Sequence, residues 1–107
     1  MKLIDKIKKA VMDEMVDFSI HAEYEMEHEE FGIIWVDEVL QAILNGRIIE
    51  NYPDTFPLPT CLINGKTDIG RPIHVVVAYD EEDGSIQIIT TYQPHPKLWR
   101  REYSERI

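Results

Sequence analysis

The sequence predicts an α+β domain in which N-terminal helices pack on a four-stranded, mainly antiparallel sheet. Three observations carry this. Apolar residues recur at helical spacing up to Leu44, and the period becomes that of strands from Arg47 onward. The strands then follow one another across short connections instead of alternating with helices, which favours antiparallel pairing with helices on one face. A chain of 107 residues fits a single domain, here residues 1–107, and folding at that size hides roughly two thirds of the surface an unfolded chain exposes.

The elements can be justified in order. Ile4, Ile7, Val11 and Met15 lie on one stripe of a helix expected over residues 3–16. Ser19 is the N-cap of a second helix running to about Glu30, where Phe31-Gly32 breaks it. A third helix near Val36–Leu44 buries Val36, Val39, Leu40, Ile43 and Leu44, and Asn45-Gly46 stops it. Strands are expected at Arg47–Tyr52, Thr60–Asn64, Ile73–Tyr79 and Ile86–Tyr92, with a Pro-rich loop after the first and a turn at Gly65–Pro72. Pro94 and Pro96 end the last strand, and Leu98–Ile107 is read as a short helix or an extended tail.

Composition narrows the function classes. Cys61 is the only cysteine, so no intrachain disulfide is possible, and its apolar setting reads as a small buried hydrophobe. No apolar run approaches a membrane span or a secretory signal, which gives the expectation of a soluble, cytoplasmic protein with no membrane partner. The net charge is −9, with eight acidic residues and no Lys or Arg between Asp13 and Glu30. Such a balance opposes broad, non-specific nucleic-acid binding. The tail, with Lys97, Arg100, Arg101 and Arg106, is the place where a local basic patch could form with Arg71.

The last two strands flank Asp-Glu-Glu-Asp-Gly and read as a hairpin. Pairing Tyr79 with Ser85 sets His74 opposite Thr90, and period-two alternation then puts His74, Thr90 and Tyr92 on one face with Val76, Ala78, Ile86 and Ile88. A one-residue slip would separate the trio. The same pattern also describes a core face whose edge carries polar residues satisfied by backbone or water.

Read together, four ordered stretches resemble a family catalogued as domain of unknown function 4258. They are Ser19-Ile-His21-Ala22 with Met26; Val39 through Ile43-Leu44-Asn45-Gly46; Ile49-Glu50-Asn51-Tyr52-Pro53-Asp54; and Gly70-Arg71-Pro72-Ile73-His74-Val75-Val76. Ile88-Ile89-Thr90-Thr91-Tyr92-Gln93-Pro94 and Trp99 continue the last. The resemblance implies a RelE-like or barnase-like ribonuclease fold, a toxin-like protein with RNA as substrate, and an antitoxin partner of zinc-finger type. Many members carry Arg four residues after the helix histidine and before the helix-ending glycine, where this chain has Glu25 and Phe31.

Metal-independent RNA cleavage needs a base for the ribose 2′-OH, an acid for the departing 5′-oxygen and a cation for the phosphate. His21 and His74 are the expected base and acid, and Arg71 the bidentate cation. Thr90 and Tyr92 would orient the substrate, with Tyr92 stacking on a base. No cofactor is required. Two alternatives remain. His21, Glu25 and His28 at i, i+4 and i+7 share a helical face that could ligate a metal. The acidic helix, Trp35 and the Pro-rich loop could instead serve a binding module that docks a basic partner.

Overall fold

The structure, a computed structural model, describes all 107 residues. Helix α1 (Leu3–Met12) buries Ile7, Ala10 and Val11. It stops earlier than its apolar stripe suggests, because Glu14 adopts a left-handed φ of 59°. The Glu14 N–H then bonds to the Val11 carbonyl and the Met15 N–H to that of Ala10. This is a Schellman closure with glutamate where glycine is usual, so the sequence carries no stop signal.

The released chain forms a strand that the periodicity did not reveal, β1 (Val16–Phe18). Three residues are too few to display a period. The sheet therefore has five strands, not four. With β2 (Arg47–Tyr52), β3 (Thr60–Lys66), β4 (Pro72–Asp80) and β5 (Ser85–Tyr92), its order is β1-β5-β4-β3-β2. Pairing is antiparallel except for β1, which runs parallel to β5 with Val16 opposite Ile86.

Helices α2 (Ile20–Glu27) and α3 (Val36–Leu44) complete the helical layer. Ile7, Val39 and Ile43 meet Ile63, Val75, Val77 and Ile88 in one core. A Cβ on Gly65 would lie 1.8 Å from the Ala42 carbonyl oxygen, so only glycine lets α3 approach the sheet this closely.

Helix α2 has a second task, at the edge of the sheet. Beyond Ile88, β5 has no strand partner on its outer side. Ser19 caps α2 by accepting the Ala22 N–H at 3.0 Å and donates its own hydroxyl to the Ile89 carbonyl at 2.8 Å. One turn on, the Glu25 carboxylate accepts the Thr91 N–H at 3.1 Å and the Thr90 hydroxyl. Just beyond the end of the helix, Glu29 accepts the Gln93 N–H at 2.7 Å. Two glutamates four residues apart thus finish the edge that β1 leaves bare.

The expected hairpin register is off by one at the turn, since Tyr79 pairs with Ile86. A bulge then inserts Ile89, so Val76 faces Thr90, Val75 faces Thr91 and His74 faces Tyr92. His74, Thr90 and Tyr92 do share a face, but the bulge sends Ile86 and Ile88 to the helical side. The tail is neither helix nor extended strand. It makes a small hairpin of β6 (Trp99–Arg100) and β7 (Glu105–Arg106). No helix is long and apolar enough to cross a membrane.

The edge contacts make a prediction. Glu25→Ala strands the N–H of the fully buried Thr91 and should lower unfolding free energy by about 1–3 kcal/mol. Glu23→Ala, on the same helix, should stay within about 0.5 kcal/mol of the parent. Urea denaturation of both checks this, and equal midpoints would show that the edge draws no support from Glu25.

Candidate functional site

Residues directly opposite in neighbouring strands share a face, so the register specifies what the helix-free side of the sheet presents. One row reads Arg47, Asn64, His74, Tyr92 and the next Glu50, Leu62, Val76, Thr90. A third reads Tyr52, Thr60, Ala78, Gln87. Leu62, Val76 and Ala78 make an apolar centre, and the row from Arg47 to Tyr92 is the wholly polar end.

The C-terminal hairpin lies over that end. Trp99 packs edge-on against the His74 ring, with centroids 4.5 Å apart. Arg101, Glu102 and Tyr103 at the hairpin turn all have left-handed backbone, with φ of 52°, 55° and 67°. Three such residues without glycine are costly. The turn carbonyls meet the sheet: the Asn64 side-chain amide donates to Glu102 O at 3.0 Å and His74 Nε2 donates to Tyr103 O at 2.9 Å.

Because that carbonyl can only accept, Nε2 carries the imidazole proton and Nδ1 is free to accept the Tyr92 hydroxyl at 3.2 Å. His74 is 0% exposed, and burial pushes its pKa down to about 4, against the Tyr103 hydrogen bond. It is a neutral imidazole with both nitrogens engaged. Tyr92 is pushed up to about 12, chiefly by burial, and the Arg106 charge opposes the shift while Tyr52, Glu50 and Glu25 add to it.

Above this pair sits a charged group. Arg106 donates through Nε and Nη2 to the two Glu50 oxygens, both at 2.9 Å, and lies over the Trp99 ring at 4.7 Å. The Tyr52 hydroxyl donates to Glu50 Oε1 at 2.5 Å. The Arg106 hydrogen bonds hold the Glu50 carboxyl below the usual carboxylate range, more than offsetting burial, and Tyr52 helps. Tyr52 is raised, first by burial and then by its bond to Glu50.

The five residues expected to form one cleft are divided. His74 and Tyr92 touch. His21, exposed on α2, has Nε2 3.4 Å from Glu25 Oε1, the oxygen that accepts from Thr90, so His21, Glu25 and Thr90 form a linked group at the sheet edge. The helices do not bring His21 over His74, because they pack on the opposite face. Arg71 is committed elsewhere. It donates to Gln93 Oε1 at 2.7 Å, to the Ile33 and Gly32 carbonyls at 2.8 and 2.6 Å, and to Glu38 at 3.1 Å.

Nor do His21, Glu25 and His28 converge as ligands. Glu25 is occupied by β5, and His28 stacks on Tyr24 while its Nδ1 donates to the Tyr24 carbonyl at 2.8 Å. No group of three His, Cys, Asp or Glu side chains has the arrangement of a metal centre. Cys61 is buried, and burial raises its thiol to about 11, which keeps it unreactive.

Glu50, Tyr52 and Arg106 are the polar residues that sequence reasoning missed. Glu50 and Tyr52 stand at i and i+2 on a strand, a spacing that does put them on one face. Nothing local announces Arg106, which reaches Glu50 across 56 positions of chain.

The architecture defines a class: an α+β protein with helices on one face of its sheet and a polar, hairpin-covered cluster on the other. Residues 18–93 match the family described as domain of unknown function 4258, and the chain belongs to it. Neither a curated protein nor a solved structure matches the chain. The matched span contains Glu50, Tyr52, His74 and Tyr92, whereas the hairpin that supplies Arg106 lies outside it.

The buried imidazole sets a pH dependence. His74 binds a proton in the unfolded chain near pH 6.5 but in the folded one only near 4, so the stability it confers is complete above 6.5 and is lost as pH falls toward 4. Within that window its contribution to the slope should approach about 1.4 kcal/mol per pH unit. Chemical denaturation of the parent and His74→Gln between pH 4.5 and 7.5 should show a loss of stability toward low pH that is steeper in the parent.

Proposed function

We propose that the helix-free face binds an RNA phosphodiester and cleaves it by metal-independent transesterification. The observation that carries this reading is the Glu50–Arg106–Tyr52 cluster beside Tyr92. It joins an ionised carboxylate, a guanidinium that is 62% exposed and the Tyr52 hydroxyl on the same face of the sheet as the Tyr92 hydroxyl. Charge distribution supports it. Arg47, Lys66, Arg100, Arg101 and Arg106, five of the eleven basic residues, lie on this face or on its hairpin, although the whole chain carries −9. A local cationic surface is what a phosphate backbone needs.

In this reaction Glu50 takes the proton from the ribose 2′-OH, and the 2′-oxygen attacks phosphorus. The bond to the 5′-oxygen breaks, and that oxygen takes a proton from water, leaving a 2′,3′-cyclic phosphate and a 5′-OH end. His21, beside Thr90 at the far edge of the sheet, takes no part. Arg106 exchanges Glu50 for the phosphate and balances the charge that builds on it. Tyr92 and Thr90 orient the substrate. His74 acts as a positioning residue, since its Nδ1 fixes the Tyr92 hydroxyl. Arg71 supports the fold and takes no part in this scheme.

The test is cleavage of mixed-sequence RNA by purified protein in EDTA. The parent should generate cyclic-phosphate ends, and Glu50→Gln and Arg106→Ala should each lower the rate by about 100-fold or more while remaining folded. Arg71→Lys should cleave at the parental rate per folded molecule. Parental protein without activity, or activity untouched by Glu50→Gln, defeats the reading.

A further inference from the structure

A separate surface on the opposite side of the molecule has no role in the scheme above. Between α2 and the start of α3 the chain leaves a groove of about 270 Å³, lined by Phe18, Met26, Ile33, Trp35 and Val36. Trp35 is 65% exposed, Ile33 50% and Val36 49%. Single exposed apolar residues are ordinary, but three neighbours with a tryptophan among them form the kind of patch that proteins normally cover.

The segment is held, not loose. Arg71 ties down the Gly32 and Ile33 carbonyls, and Glu38, itself paired with Arg71, accepts the Trp35 N–H at 3.0 Å. The loop is thus pinned through its backbone at both ends of the apolar triplet while the side chains remain outside. A preformed, rigid anchor lowers the ordering cost of association.

The rim of the groove is acidic. Glu23 and Glu27 line it, and no Lys or Arg occurs anywhere from Ala10 to Gly46. Glu25 and Glu29 are taken up by hydrogen bonds to β5 and its end and Glu38 by its ion pair with Arg71, whereas no internal partner engages Glu23 or Glu27. An apolar floor with a purely negative rim selects a ligand of complementary pattern.

We infer that this groove is a docking site for a basic amphipathic helix of a partner protein, whose apolar stripe covers Ile33, Trp35 and Val36 while its Lys or Arg residues meet Glu23 and Glu27. The site is independent of the polar cluster, so it stands or falls apart from the RNA reading.

The probe is a synthetic 18-residue Lys/Leu amphipathic helix, with a Glu/Leu peptide of the same apolar stripe as its charge-reversed counterpart. Binding is followed by tryptophan emission and calorimetry. The Lys/Leu peptide should bind one to one, shifting emission to the blue, because Trp35 is exposed and Trp99 already buried. Trp35→Ala and Glu23→Lys/Glu27→Lys should each weaken it by about tenfold or more, while Glu81→Lys/Glu82→Lys, in the distant β4–β5 turn, should change it less than about threefold. The Glu/Leu peptide should not bind. Equal loss in the turn variant would reveal mere attraction to an acidic protein and overturn the assignment, as would binding of both peptides or of neither. A homodimer that Trp35→Ala dissociates would identify a second copy as the occupant and equally overturn it.

Discussion

The outer edge of β5 is the constraint on which the rest of the molecule depends. A central sheet with an unfinished edge would leave backbone donors of buried residues without partners, at a cost of the order of 1–3 kcal/mol each. The chain finishes that edge with three short strand residues and then with side chains. Val16–Phe18 pair with Ile86–Ile88, and Ser19, Glu25 and Glu29 take over where pairing stops. This choice pins α2 beside the sheet, not across it. It also explains glutamate at position 25, where an arginine would bring a donor to a place that needs an acceptor.

Pinning α2 in this way separates the molecule electrostatically. The acidic helix occupies one flank and the start of α3 another, while the basic residues of β2, β3 and the tail collect on the helix-free face. Net charge is therefore a poor guide to what each surface attracts. The two bulges contribute to the same separation. Ile49 and Ile89 each add one residue to their strand, so that Glu50, Tyr52, Thr90 and Tyr92 come to one face while Ile48, Ile86 and Ile88 stay in the core.

The hairpin gives the polar cluster its form. Burial of His74 under Trp99 and the Tyr103 carbonyl converts a residue that reads as a catalytic imidazole into a neutral support for Tyr92. Its left-handed turn is held because its carbonyls have defined acceptor roles over Asn64 and His74. Arg71 shows the converse. A residue that reads as a phosphate ligand is a clasp with acceptors on three segments, and by holding the Gly32–Trp35 stretch it determines how Trp35 is presented.

Helix α3, strand β2 and the shared face of His74, Thr90 and Tyr92 were legible because periodicity and turn chemistry are local. So were the Ser19 cap and the buried state of Cys61. The end of α1 was not, since a Schellman closure on glutamate lacks the glycine that usually marks it, and β1 was too short to read. The register of the last hairpin depended on a bulge that adds one unpaired residue without any sequence punctuation. The Glu50–Arg106 pair, the covering of His74 and the commitment of Arg71 all join residues dozens of positions apart. By itself the sequence determined the type of the longer elements, the burial of Val39 and Ile43 on α3 (though not the exposure of Val36 and Leu44 at its ends) and family membership, because those follow from neighbours along the chain. Only the tertiary structure decided which polar side chains meet and which are sealed, because burial and partner choice are properties of segments brought together in space.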